Sequence, residues 1–359
     1  MSRMNMANSV LAGDRLSLSR LLTQIENNTS EGRQAMDELF AYTGRAHLIG
    51  VTGAPGTGKS SLVNRLAYHF RNPPEGKPSA RVAIVAVDPT SPFTGGAVLG
   101  DRIRMRDLAG DSGVFIRSMA TRGALGGLAS ATSGLVEVFD AAGYDLIFIE
   151  TVGAGQVEVD IARLAHTTLV VDAPGLGDDV QAIKAGILEI ADILVVNKAD
   201  RPGAGQTVRA LKQMLNLAHP APKVFLHHGW MLDELGSNAN VAAQQTLSDG
   251  SGEELWIPPI VSTVATEGEG IVELAAAIES HRNYLSRTGE GLKRDRARLV
   301  TGLEGRIRDL LMKRWQAGAD WEAVGAVIDR LAGRSITPAQ AVGMLLDSNT
   351  PEVGPGGSV

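Results

Sequence analysis

The feature that most restricts this chain is the loop Gly53-Ala54-Pro55-Gly56-Thr57-Gly58-Lys59-Ser60, set between an apolar run and a helical pattern. His47-Leu48-Ile49-Gly50-Val51 precede it as a buried strand, and Leu62, Val63 and Leu66 follow at helical spacing. A GxxxxGK[ST] motif in that strand–loop–helix context is a phosphate-binding loop. Its glycines let backbone N–H groups turn inward around phosphate oxygens, and the helix N-terminus adds its dipole. Lys59 is expected to reach the β- and γ-phosphates, Ser60 to bind Mg²⁺, and Ser61 to join the nucleotide-binding residues of the loop. The alternative is a glycine-rich turn before an ordinary helix. It leaves the lysine and hydroxyl without a reason.

Around this loop, short β-rich runs alternate with helical patterns. They are Leu48–Thr52, Val82–Val87, Val114–Arg117, Leu146–Ile149, Thr168–Val171, Ile193–Val196 and Ile260–Thr263. Strands so spaced, with helices between, predict an α/β fold with a right-handed βαβ series and a mostly parallel sheet. Residues 9–44 read as helical, with Leu18, Leu21, Leu22 and Ile25 on one face and Met36, Leu39 and Phe40 on another. Beyond residue 282 only helical patterns remain, including a stripe of Val300, Leu303, Ile307, Leu310 and Leu311. The expected organisation is an N-terminal helical extension (1–45), a P-loop domain (46–282) and a C-terminal helical region with a Gly/Pro-rich tail (283–359). Periodicity alone favours internal packing for the C-terminal stripes over a dimerisation arm.

Composition closes off other classes. The formal net charge of −6 argues against a general nucleic-acid binder. Zero cysteines exclude disulfides, thiolate metal sites and a cysteine nucleophile. No apolar stretch approaches the roughly 18 residues a membrane helix needs, and Met1–Asn8 has no signal-peptide core. The expectation is a cytoplasmic protein with no membrane or nucleic-acid partner.

Base identity must come from outside the phosphate loop. Asn197-Lys198-Ala199-Asp200 directly follows the strand Ile193–Val196. Guanine offers N1–H and N2–H₂ along one edge, and an ionised carboxylate accepts both. Adenine instead presents an acceptor at N1, so a buried mismatch rejects it. Asp200 is therefore the expected base reader, Asn197 a brace between loops, and the Lys198 stem a cover for one face of the base. The competing reading makes Asp200 a helix N-cap. Val264 and Ala265, after the last strand, are expected to offer backbone N–H groups to guanine O6. At the end of the strand Leu146–Ile149, Glu150 stands where a Mg²⁺-linked carboxylate belongs, and the Gly153 N–H is placed to sense the γ-phosphate. Asp88 ends another strand, where open α/β sheets put their ligands. Asp101 lies in Leu-Gly-Asp-Arg-Ile-Arg-Met. An Asp-Pro turn and a helix cap are the plainer readings of these two.

Taken together, these segments resemble the MeaB/ArgK group of metallochaperone GTPases, G-protein chaperones of adenosylcobalamin-dependent acyl-CoA mutases such as methylmalonyl-CoA mutase. The resemblance spans roughly residues 10–350. Its most specific segments are GAPGTGKS (53–60), VDPTSPFTGG (87–96), LGDRIRM (99–105), ETVGAGQVEVD (150–160), GDDVQAIKAGILEIADI (177–193) and NKAD (197–200). It implies a Ras-like P-loop domain of the SIMIBI class and a C-terminal helical arm that makes a homodimer. It further implies Asp88, Asp101 and Glu150 around Mg²⁺ with Ser60, and Gln181 and Lys184 in a switch that responds to the mutase. Three departures stand out. Arg102 replaces the usual lysine, Thr263-Val264 replaces Thr-Ser before Ala265, and residues 220–255 are longer than the usual connection.

The expected activity is Mg²⁺-dependent hydrolysis of GTP to GDP and phosphate, with the nucleotide ordering switch segments around 88–106, 153–160 and 177–186. Lys59 and the metal would neutralise charge, and Gln156 is a candidate for orienting the water. The expected output is gating of cobalamin loading and protection of the mutase. Two other readings are a nickel or cobalt insertion GTPase and a transport-system ATPase or kinase for basic amino acids. The first lacks cysteines and has only the His227-His228 pair, and the second conflicts with the guanine signature.

Overall fold

The computed structural model describes residues 5–89, 108, 110–121, 127–151, 156–175, 189–217 and 255–347. Among these residues seven strands form one sheet: β1 (His47–Thr52), β2 (Val82–Pro89), β3 (Val114–Thr121), β4 (Leu146–Thr151), β5 (Thr167–Asp172), β6 (Ile193–Asn197) and β7 (Ile260–Thr263). Their order is β3-β2-β4-β1-β5-β6-β7, and every pairing is parallel. Each strand corresponds to one of the β-rich runs read from the sequence.

The strands are apolar on both faces because both faces are covered, as an all-parallel sheet requires. On one face Leu48, Val85, Ile147 and Ile149 pack with Leu135 and Phe139 of α5 (Gly127–Ala141) and with the N-terminal helices. Those helices are α1 (Met6–Leu11), α2 (Arg15–Glu26) and α3 (Ser30–Leu39). On the other face Ile49, Val51, Ile84, Phe148 and Leu169 meet α4 (Lys59–Arg71) and α8 (Ile271–Thr288). A smaller cluster joins Val170, Leu194 and Val196 to Leu211 of α7 (Ala204–Leu217). Gly50 in β1 is set by α6 (Gln156–Leu164): a Cβ there would stand 3.0 Å from Ile161 and 3.1 Å from Ala165.

The N-terminal region is three helices rather than one long pattern. Asp14 caps α2 by accepting from Ser17 N–H at 2.9 Å, and Thr29 caps α3 by accepting from Gly32 N–H at 3.1 Å. Such residues favour caps over helix interiors, so the apolar periodicity restarts at each. The extension is built into the core, through Leu21, Leu22 and Leu39, all fully buried. Asp140 of α5 then receives the N–H groups of Gly44, Arg45 and Ala46 and fixes the entry into β1.

At the amino ends of β1 and β5 lies a buried polar cluster. Thr167 bridges His47 and His281, with its hydroxyl 2.8 Å from a ring nitrogen of each. Asp192 receives a two-pronged bond from Arg294 at 2.9 and 3.0 Å and also the Thr168 N–H at 2.8 Å.

The chain divides into two compact units, Met1–Gly302 and Leu303–Val359. The division falls within the helix α9 (Glu290–Gly318). In the second unit, α10 (Trp321–Ala332) and α11 (Pro338–Asp347) pack together. Val324, Ile336 and Ala341 form its buried part, and Trp315 donates its indole N–H to the Leu345 carbonyl. Among the described residues no helix is long and apolar enough to cross a membrane.

Candidate nucleotide site

The carboxyl ends of the central strands carry the site. The phosphate loop leaves β1 at Gly53, with φ +135°. A side chain there would put its Cβ 2.0 Å from the Val171 carbonyl oxygen, so only glycine fits between β1 and β5. Gly58 is the left-handed cap of α4, at φ +91°. A Cβ on it would stand 2.4 Å from the Asn197 amide nitrogen. Within the loop, Thr57 is fully buried and donates its hydroxyl to Ala54 O at 3.0 Å. Ala54, Pro55 and Gly56 form the outer rim. Lys59 is buried, and its ammonium donates to Gly53 O at 2.7 Å and Ala54 O at 3.0 Å. The cation is thus held over the loop by backbone dipoles at the start of a helix whose first N–H groups also favour an anion.

Ser60 and Glu150 are brought together by the fold. The Ser60 hydroxyl donates to Glu150 Oε1 at 2.5 Å, and Glu150 is only 5% exposed. Glu150 lies on β4, the neighbour of β1, with Val51 opposite it, and the loop leaving β1 carries the chain to Ser60 at the start of α4. Beside them the Thr151 hydroxyl donates to that of Thr52 at 3.3 Å. Two hard oxygen donors at a phosphate loop suit Mg²⁺, which takes one or two carboxylates and completes its shell with phosphate and water. Asp88 lies on β2, two residues beyond Ala86, the register partner of Glu150. Its side chain falls outside the described structure, and so does all of Asp101. Among the described residues no three acidic or imidazole side chains gather as a metal cluster. Gly153, Gln181 and Lys184 also lie outside the described residues. Gln156 is the first residue of α6, with its side chain outside the description.

The base-reading segment is tied to the phosphate loop. Asn197, at the end of β6 and 2% exposed, donates its amide to Thr57 O at 2.8 Å. Its Oδ1 accepts from the Thr263 hydroxyl and from Ala265 N–H, both at 3.1 Å. Lys198 has a left-handed backbone, φ +58°, and its ammonium donates to Gly56 O at 2.5 Å. Its aliphatic stem is thereby drawn across toward the loop, as a cover for a base would require. Asp200 is exposed, in a turn four residues ahead of the first residue of α7. It does not cap that helix.

One expectation is not met in this geometry. Val264 N–H donates to Glu269 O at 3.0 Å, and Ala265 N–H donates to Asn197. Both amides expected to face guanine O6 are spent inside the protein. The reason is a tight turn: Glu267 and Gly268 N–H groups both return to Val264 O, and an antiparallel bridge joins Val264 to Glu269. Sequence reasoning also passed over Thr263, whose hydroxyl orients Asn197. A threonine ending the last strand just before this turn was the available signal.

With this geometry in hand, comparison with known proteins is decisive. The family model described as "Methylmalonyl Co-A mutase-associated GTPase MeaB" matches residues 18–320. The chain belongs to the MeaB family of GTPases. A relative from Pyrococcus abyssi is 42% identical over 334 residues, covering 93% of each chain. The GTPase ArgK of Escherichia coli is 40% identical over 192 residues, 52% of this chain and 56% of that one. A Caenorhabditis elegans protein named methylmalonic aciduria type A homolog, mitochondrial, is 35% identical over 206 residues, 54% of this chain and 51% of that one. The crystal structure of LAO/AO transport system kinase covers 96% of each chain with a TM-score of 0.64 at 23% identity, a likeness of fold. The fold is a P-loop GTPase fold, and the MeaB-family chain is a guanine-nucleotide-binding GTPase.

Proposed function

We propose that this GTPase is a Mg²⁺-dependent, homodimeric cytoplasmic chaperone of an adenosylcobalamin-dependent acyl-CoA mutase. In this reading it gates cobalamin loading and maintains mutase activity. The mutase named in the family description carries the proposal. The site supports the enzymatic half. The phosphate loop, Asn197, Lys198 and the turn after β7 are hydrogen-bonded into one unit, so nucleotide is captured by a preformed surface. The resemblance puts the response to a partner in the segments around 88–106, 153–160 and 177–186.

Bound Mg²⁺ would supply charge neutralisation at the β- and γ-phosphates. Ser60 and Glu150 would hold it, joined by Asp88 and Asp101. The chain's own part is positioning. The backbone N–H groups of residues 53–60, Pro55 excepted, cradle the phosphates, Lys59 balances their charge, and Asp200 takes the two guanine donors. Gln156, at the start of α6, is the proposed water-orienting group. Without an arginine in trans, turnover by the isolated protein should be slow.

The test is GTP turnover with and without each adenosylcobalamin-dependent mutase of the same organism, and complex formation with GDP and with a non-hydrolysable GTP analogue. Acceleration of at least about tenfold, or ~1.4 kcal/mol of barrier, is expected from the cognate mutase. It should vanish on changing Gln181 and Lys184 to Ala while basal turnover stays. Nucleotide state must in turn alter mutase affinity by linkage. No response to any such mutase in either assay removes the chaperone role.

A further inference from the structure

The turn that follows β7 is held from two sides. On one side Asn197 accepts the Ala265 N–H at 3.1 Å. On the other, Arg65 donates Nε to Ala265 O at 3.1 Å and Nη2 to Thr266 O at 2.8 Å. Arg65 sits on α4, the helix that begins at Lys59 and Ser60. Neither the phosphate-loop motif nor the base motif includes it. A guanidinium can serve two successive carbonyls because its donors are fixed in a plane, and one ammonium cannot match that arrangement.

We infer that Arg65 is a positioning residue for base recognition that acts through Asn197: it fixes the turn at Ala265–Thr266, whose Ala265 N–H orients the Asn197 side chain at the head of the base-reading segment, relative to the phosphate-binding helix. The inference rests on Asp200 as the guanine reader. Asn197 ties the same turn to the loop at Thr57. Arg65 closes a second link, from the helix behind that loop. Beneath them Leu62 and Leu66 of α4 share a core with Ala265 and with Ile271 and Leu274 of α8. That core keeps α4 and α8 packed whatever residue 65 is. Loss of the guanidinium therefore leaves the turn folded, through the Val264–Glu269 bridge, but free to tilt about it.

A residue acting this way changes how well the base side of the nucleotide is held and not how fast bound GTP reacts. In Arg65→Ala the Kd for GDP and the KM for GTP should rise about tenfold, which is ~1.4 kcal/mol, with kcat at saturation within about twofold of wild type. Arg65→Lys, which offers one ammonium to two carbonyls, should recover part of the loss. Inosine triphosphate keeps O6 and lacks the 2-amino group. Its affinity should fall by the same factor as that of GTP in Arg65→Ala, so the ratio between them is unchanged. In Asp200→Ala, measured in parallel, that ratio should collapse. Thermal unfolding of both Arg65 variants separates a tilted turn from a damaged fold. Wild-type KM in Arg65→Ala, or a loss of kcat at unchanged KM, overturns the assignment. So does failure of Arg65→Lys to exceed Arg65→Ala when both are folded. If Asp200→Ala keeps the full preference for GTP over inosine triphosphate, the base reading itself fails, and that result is distinct from the others.

Discussion

Asp200 is exposed and stands in a turn ahead of α7, while Asn197 and Lys198 on the same turn are committed to Thr57 and Gly56. The division of labour is physical. Two side chains lock the motif to the phosphate loop, and the carboxylate stays available for the base. Asp200→Asn turns one acceptor into a donor. GTP affinity should drop at least about a hundredfold, ~2.7 kcal/mol, while xanthosine triphosphate, with an oxygen at C2, gains. Equilibrium binding of both nucleotides checks this, and unchanged GTP affinity would refute the assignment. These residues were legible in the sequence because a motif binds a fixed ligand shape with contiguous residues. The fate of the Val264 and Ala265 amides was not. Their acceptors are Glu269 and Asn197, the latter 68 positions away, and only the folded turn brings them together. Arg65 was hidden for the same reason, being 200 positions from Ala265.

Among the elements, all seven strands were readable, since a strand covered on both faces is a short unbroken apolar run between turn residues. The helix breaks at Asp14 and Thr29 were not read, because an Asp or Thr in a polar stretch shows itself as a cap only where its side chain accepts the backbone N–H three residues on. Nor did the strand pattern reveal the polar cluster at the amino ends of β1 and β5, which has a consequence for pH. Burial pushes the His47 imidazole well below its ordinary pKa, and the neighbouring His166, Arg282, His281 and Arg294 act in the same sense. Burial likewise lowers His166, against the opposing pull of Asp295. For His166 the hydrogen bonds agree with a neutral ring. Its Nδ1 accepts the Leu48 N–H at 3.0 Å and its Nε2 faces Asp295 at 2.8 Å, so a second ring proton would confront the Leu48 amide. A histidine held neutral in the fold stabilises it fully above the unfolded-state value near 6.5. That contribution is lost as pH falls through 6.5 toward the folded-state value, because the unfolded chain then binds more protons. Each such group costs about 1.4 kcal/mol per pH unit in that window. Urea unfolding at pH 7.5, 6.5 and 5.5 should give stability that is flat at first and then falls. His47→Gln with His166→Gln should flatten the fall whatever it does to the absolute value. A slope that is unchanged in the double variant would show the acid sensitivity to lie elsewhere.

On the scale of the whole molecule, every described contact to the phosphate loop and base motif comes from the first compact unit, residues 1–302, and the second unit poses a different question. Its helices were legible as periodic stripes, but periodicity could not say what covers them. Within the unit, Val324, Ile336 and Ala341 are buried, while Leu303, Ile307, Leu310 and Leu311 on α9 are 48–59% exposed. Residues 303, 307 and 310 fall at i, i+4 and i+7, one stripe along a helix. The reading of these stripes as internal packing does not account for such exposure among the described residues, and a contiguous apolar stripe in water favours a partner surface. A second copy of the chain is the partner already proposed, and α9 lies wholly within the family match, which runs two residues past Gly318 to residue 320. Sedimentation velocity should therefore show a dimer at micromolar concentration. Leu303→Glu with Leu310→Glu puts two charges on the stripe and should yield a monomer, since a dimer would have to bury them. Basal kcat and KM for GTP should stay near wild type, because no described contact in the nucleotide site comes from α9. A monomeric wild type, or a doubly substituted chain that still dimerises, would mean that this stripe is not the dimer surface.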